Sequence, residues 1–121
     1  MKRFEGQSIA VDIDSTLLIG HYDYPDVGTP NMQLIDCLNR FHDEGGVIVL
    51  NTLREGDLLP PALNLLNEAG LKYDYVNENI SARIEKWGAD PRKIAATYYM
   101  DDRNIDMLSF MKLVDFKGEE N

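Results

Sequence analysis

Four acidic residues in this chain stand where solvation of a surface does not explain them. Asp12 and Asp14 interrupt the end of the apolar run Ser8-Ile-Ala-Val-Asp-Ile13, and Asp101-Asp102 directly follow the run Thr97-Tyr-Tyr-Met100. Clustered carboxylates repel one another, so they normally need a bound cation or a protonated member. An oxygen-only donor set suits Mg²⁺, which takes few protein carboxylates and keeps water or phosphate oxygens as its other ligands. Anion-binding groups lie close in sequence to apolar runs of the same kind. Thr16 follows the first acid pair, Asn51-Thr-Leu-Arg54 follows Val47-Ile-Val-Leu50, and Arg103 follows the second acid pair.

For these groups to meet, their runs must be neighbouring strands. The pattern alternates accordingly: a strand over 8–13, and a long loop or flap over 15–29 containing Gly20, Pro25 and Gly28. Pro30 and Asn31 then open a helix with the stripe Leu34, Ile35, Leu38 and Phe41, ended by Gly45-Gly46. A second strand over 47–50 leads to a helix that starts near Pro60-Pro61, is striped by Leu58, Leu59, Ala62, Leu65 and Leu66, and closes at Gly70. Tyr73–Val76 reads as a third strand, Ile80–Gly88 as a weak helix and Thr97–Met100 as a fourth strand, with a short helix and strand in the tail from Ile105 to Phe116. Connections too long for hairpins imply right-handed crossovers and a parallel sheet. The expected fold is α/β, three-layered and Rossmann-like, in one domain over 1–121. In such folds ligands bind beyond the carboxyl ends of the strands, where the strand order reverses. Four carboxylates, a hydroxyl and two arginines could converge on that rim.

Composition narrows the field. With 121 residues, 44% of them hydrophobic, the chain suits one packed domain rather than disorder. A net charge of −9 argues against extended nucleic-acid binding, since phosphate backbones are held by Lys and Arg. One cysteine, Cys37, permits no intramolecular disulfide. No apolar run approaches the ~20 residues that cross a bilayer, and no signal segment opens the chain, so a cytoplasmic protein without membrane contact is expected. There is no His/Cys cluster for zinc and no Gly-rich Lys-Ser/Thr phosphate loop.

The motifs together resemble the haloacid dehalogenase-like phosphohydrolases. Val11-Asp-Ile-Asp-Ser-Thr-Leu17 is similar to their first motif, an apolar strand ending in Asp-x-Asp-x-Thr, with Ser15 where the family most often has Gly. Thr52 matches the second motif, and Lys93, eight positions before Asp101, is placed like the third-motif lysine, for which Lys86 is the alternative. Tyr98-Tyr-Met-Asp-Asp102 resembles the fourth. The set occurs in family order across residues 8 to 104.

The resemblance implies a Mg²⁺-dependent phosphatase. Asp12 would be the nucleophile and form an aspartyl-phosphate, while Asp14 would protonate the leaving oxygen and then deprotonate water. Thr52 would hydrogen-bond the phosphoryl group and Lys93 would balance its charge. Mg²⁺ would sit on Asp12, the Asp14 main-chain carbonyl and Asp101, with Asp102 acting directly or through water. Thr16, Arg54 and Arg103 are candidate substrate contacts, with an ion pair to a neighbouring acid as the alternative for either arginine.

The intervals that could hold a cap domain, 15–29 and 78–96, are too short for one. An open site is therefore expected unless a second subunit covers it. Such a site suits a phosphorylated small molecule or a protruding terminal phosphate. His21, Tyr22 and Tyr24 in the flap either stack on a substrate ring or pack the loop. Asn77 and Asn79 read as turn residues, and Cys37 and Trp87 as core or helix-packing residues. Two rival readings remain: a phosphorylation-dependent receiver domain, which would want an acceptor Asp where the third strand ends Val76-Asn77, and a non-catalytic phosphate- or metal-binding module of the same fold.

Overall fold

The computed structural model describes residues 2–77, 96–100 and 111. Among the described residues four strands form one parallel sheet: β1 (Ser8–Val11), β4 (Val47–Leu50), β5 (Tyr75–Val76) and β6 (Tyr98–Met100). Their order is β5-β4-β1-β6, with Ile9 opposite both Ile48 and Tyr98. The chain thus starts in the interior of the sheet, steps outward through β4 to β5, and returns to the other side of β1 with β6. The order reverses beside β1, so the crevice expected in such a sheet opens beyond the carboxyl end of that strand.

Alternation along the strands divides the core. Ile9, Val11, Ile48 and Leu50 join Ile35 and Leu38 of helix α1 (Met32–Asp43) and Ala62 and Leu66 of helix α2 (Leu59–Glu68) in one buried cluster. Both helices therefore cover the same face of the sheet. Ala10 and Val49 form a smaller buried cluster on the opposite face, with Val47, Tyr75 and Ala96 against it. Burial on both faces is why β1 and β4 read as continuous apolar runs rather than alternating ones. Ser8 is the polar exception in β1, and its burial is compensated by reciprocal bonds. Its N–H donates to Thr97 Oγ1 at 3.0 Å, and its Oγ accepts the Thr97 N–H at 3.2 Å.

Helix α1 starts where expected. Asn31 is its N-cap and accepts the Leu34 N–H at 3.2 Å, while Asn31 Nδ2 donates to Thr16 O at 3.2 Å. One residue thereby caps the helix and fastens it to the loop after β1. Cys37, expected to be packed, is exposed. It lies two residues beyond buried Ile35, about 200° round the helix, on the face turned away from the sheet.

Three further details differ from the sequence reading. Strand β1 ends at Val11, because the chain turns tightly at Ile13. The third strand is confined to Tyr75–Val76. The 15–29 interval contains a small antiparallel ribbon, β2 (Leu18–Ile19) with β3 (Thr29–Pro30). The helix expected over Ile80–Gly88, with Trp87, and the helix and strand expected from Ile105 to Phe116 lie outside the described residues apart from Met111. Among the described residues no helix is long and apolar enough to cross a membrane.

Gly46, between α1 and β4, is held by packing. A Cβ there would lie closer than 3.0 Å to the Phe41 ring, which stacks at 4.8 Å on Phe4 of the N-terminal segment. Gly46→Ala should therefore cost about 1–3 kcal/mol in urea denaturation, the usual penalty of overpacking. A change below ~0.5 kcal/mol would show that the ring has room to move.

Candidate functional site

Parallel pairing extends one residue beyond β1, β4 and β5 and brings Asp12 and Thr52 to one rim. Asp12 N–H donates to Met100 O at 2.9 Å, Asn51 N–H to Val11 O at 2.8 Å and Asn77 N–H to Leu50 O at 2.7 Å. Asp12, Thr52 and Asn77 are thus carried at the carboxyl ends of adjacent strands, and Met100 is the residue before Asp101 in sequence.

The loop after β1 is wound around one carbonyl. Ile13 O accepts the N–H groups of Thr16, Leu17 and Leu18 at 3.3, 2.9 and 2.9 Å. The side chains of Ile13, Leu17 and Leu18 are buried, anchoring the loop between its polar residues. The turn requires a left-handed residue, and Ser15 supplies it with φ 67°. That geometry explains why Gly is the commoner choice at such a position, since a Cβ costs roughly 1–2 kcal/mol there. Asp12 Oδ1 accepts the Ile13 N–H at 2.9 Å, which sets its half-buried carboxylate against the loop. Thr16 is half-buried, with its carbonyl on Asn31.

Thr52 is fixed from two sides. Its N–H donates to Asn77 Oδ1 at 2.8 Å, and its Oγ1 accepts the Arg54 N–H at 3.1 Å. A hydroxyl that accepts from the loop retains its own proton for an acceptor such as a phosphoryl oxygen. Asn77 has φ 55°, a conformation Asn tolerates better than most residues, so its turn chemistry also positions Thr52. The sequence signal was an Asn directly after a strand; its partner across 25 positions was not legible there.

Arg54 calls for a correction. As a substrate contact it would need free N–H groups at the rim, yet its side chain is fully buried and all five donors are committed. Nε donates to Asp14 Oδ2 and Nη2 to Asp14 Oδ1, both at 2.8 Å. Nη1 donates to Pro25 O at 3.0 Å and Leu58 O at 2.9 Å, and Nη2 also to Asp26 O at 2.7 Å. The Tyr24 ring covers the guanidinium, with its centroid 4.9 Å away. The ion pair to a neighbouring acid, the alternative for this residue, is what forms. Hydrogen bonding to Asp14 raises the already high pKa of the guanidinium further.

Asp14 accepts from the flap as well, because the Tyr22 hydroxyl lies 2.9 Å from Oδ1. Burial first, and then the Asp14 carboxylate, push the Tyr22 phenol above its ordinary value. All these partners of Asp14 are donors, so both of its oxygens act as hydrogen-bond acceptors. Two donors meet Oδ1 and one meets Oδ2, so three of the four lone-pair sites of the carboxylate are taken by these groups. Tyr22 thus bonds to Asp14 and Tyr24 lies over Arg54, while His21 is exposed.

Lys93, Lys86, Asp101, Asp102, Arg103 and Asn79 lie outside the described residues. Among the described residues there is no group of three or more His, Cys, Asp or Glu side chains arranged to hold a metal ion.

No family model and no curated protein matches this chain. Two solved structures do. A conserved protein from Bacteroides thetaiotaomicron is 27% identical, with 89% of this chain matched to 88% of that one at a TM-score of 0.69. A protein from Vibrio cholerae, known from its crystal structure, is 26% identical over 58% of this chain and 67% of its own, with a TM-score of 0.50. The α/β architecture with its parallel sheet is thus shared across nearly the whole chain with the first of them.

The five-donor arrangement makes Arg54 a structural keystone. Arg54→Lys substitutes three donors on one atom for a planar fork, leaving part of Asp14 and the loop carbonyls unpaired. It should lower stability by about 3 kcal/mol, the low end for a broken buried pair because Asp14 keeps some solvent. Urea denaturation showing a loss below ~1 kcal/mol would contradict this.

Proposed function

We propose that this protein is a Mg²⁺-dependent phosphohydrolase that works through an aspartyl-phosphate, a small capless member of the haloacid dehalogenase-like group with a three-layer core. The observation that carries the reading is the convergence at one sheet rim. Asp12 follows β1, Thr52 follows the adjacent β4, and the Asp12 N–H is bonded to Met100, next to the acid pair in sequence. The resemblance of four ordered motifs adds to this, and so does the left-handed Ser15, which gives the first motif the turn it needs.

The donor set fits a hard divalent cation by its chemistry, since Asp12, the Asp14 carbonyl, Asp101 and Asp102 offer only oxygen. Bound Mg²⁺ would supply charge neutralisation for a phosphate monoester that otherwise repels its nucleophile. The residues do the rest. An Asp12 carboxylate oxygen forms a bond to phosphorus as the bond to the leaving oxygen breaks. The Thr52 hydroxyl donates a hydrogen bond to the transferring phosphoryl group, and Lys93 offsets the negative charge between that group and Asp12. Asp14 gives a proton to the leaving oxygen and takes one from the water that cleaves the acyl-phosphate bond, regenerating Asp12. An open rim suits a phosphorylated small molecule or a protruding terminal phosphate, with a second subunit as the alternative cover. A cytoplasmic setting suits the reading.

A phosphomonoester panel spanning good and poor leaving groups, assayed with Mg²⁺ and with chelator, tests the reading. Turnover should require the metal, fall at least about a thousandfold in Asp12→Asn, and fall at least about a hundredfold in Asp14→Asn. Asp101→Asn should raise the Mg²⁺ requirement more than it lowers the maximal rate. A panel with no turnover, or an Asp12→Asn variant with full metal-dependent activity, would overturn it.

A further inference from the structure

Tyr22 is the flap residue whose polar tip leaves the flap. Its hydroxyl lies 2.9 Å from Asp14 Oδ1 and 3.2 Å from Leu18 O, and it accepts the Ser15 N–H at 3.2 Å. A phenol has one proton, and the carboxylate is both the nearer and the charged acceptor. From the other partner, Arg54, come two N–H groups at 2.8 Å, one to each Asp14 oxygen. Three donors on two oxygens fix both the rotamer and the plane of the carboxylate.

The slot that holds Tyr22 is built for it. A Cβ on Gly28 would meet the Tyr22 ring and lie 2.6 Å from Ile19 O, so only glycine lets the ring lie against the ribbon backbone. The guanidinium that grips Asp14 also holds Pro25 O and Asp26 O, three and four residues beyond Tyr22. Flap and carboxylate therefore share both anchors, one through Tyr22 and one through Arg54.

We propose that Tyr22 is a positioning residue for the hydrolysis: with Arg54 it locks the Asp14 carboxylate to the flap, so that the flap is a fixed wall setting the aim of Asp14. The proposal rests on the phosphohydrolase reading. Tyr22 touches the acid/base residue, and phosphate binding is left to other groups. Its loss should act on turnover more than on substrate affinity, because misplacing a reacting group by a fraction of an ångström is enough to slow chemistry.

The test is Tyr22→Phe, which keeps the ring in the Gly28 slot and removes only the hydroxyl, measured alone and combined with Asp14→Asn. The expected result is a fall in kcat of about tenfold or more with KM within about twofold, and no further fall when Tyr22→Phe is added to Asp14→Asn. Hydrogen exchange supplies a readout independent of activity: amides 20–28 should lose protection in Asp14→Asn, because the flap loses its carboxylate anchor. Unchanged kcat in Tyr22→Phe, the same fold loss in both backgrounds, or unaltered flap protection would overturn the proposal while wild-type turnover leaves the phosphohydrolase reading standing. Absence of Mg²⁺-dependent turnover in the wild type would sink both.

Discussion

The Arg54–Asp14 pair is the constraint around which the site end of this protein is arranged. A guanidinium removed from water must satisfy five N–H groups or lose far more than one ion pair returns. Arg54 meets that demand with both Asp14 oxygens and the carbonyls of Pro25, Asp26 and Leu58. Because those partners come from the loop after β1, the flap and the 3-10 turn Gly56–Leu58 before α2, satisfying one side chain brings three segments into register. The flap adds apolar anchors of its own, with Leu17 and Leu18 fully buried and Tyr22 and Val27 packed against the core.

The sheet supplies the complementary half. Burial of β1 and β4 on both faces fixes their register, and register decides which residues emerge at the carboxyl ends. Asp12 and Thr52 are therefore neighbours because Val11 and Leu50 are partners. Small local devices refine the placement: the left-handed Ser15 turns the acid loop, Asn77 holds the Thr52 backbone, and Asn31 ties helix α1 to Thr16.

How much of this the sequence announced depends on the range of the interactions. Continuous apolar runs marked β1 and β4, and the stripes Ile35/Leu38 and Ala62/Leu66 marked the two helices, since period and burial are local properties. The ribbon of Leu18–Ile19 with Thr29–Pro30 was not legible, because two-residue strands with a proline carry no period. At the site, the positions of Asp12, Asp14 and Thr52 could be read from strand ends. The partner of Arg54 could not, being 40 residues away and reached only once the sheet has formed. Tyr22 belongs to the same class: its aromatic character was visible, but its hydrogen bond to Asp14 is a product of the flap's folding.

A phosphoryl group carried covalently by Asp12 is detected by mass spectrometry of protein acid-quenched during steady-state turnover with Mg²⁺. A peptide containing Asp12 should be heavier by one phosphoryl group, a shift lost when chelator is added before substrate. Phosphate release in the presence of Mg²⁺ with that peptide at its unmodified mass, under conditions where hydrolysis of the intermediate is rate-limiting, would contradict covalent transfer through Asp12.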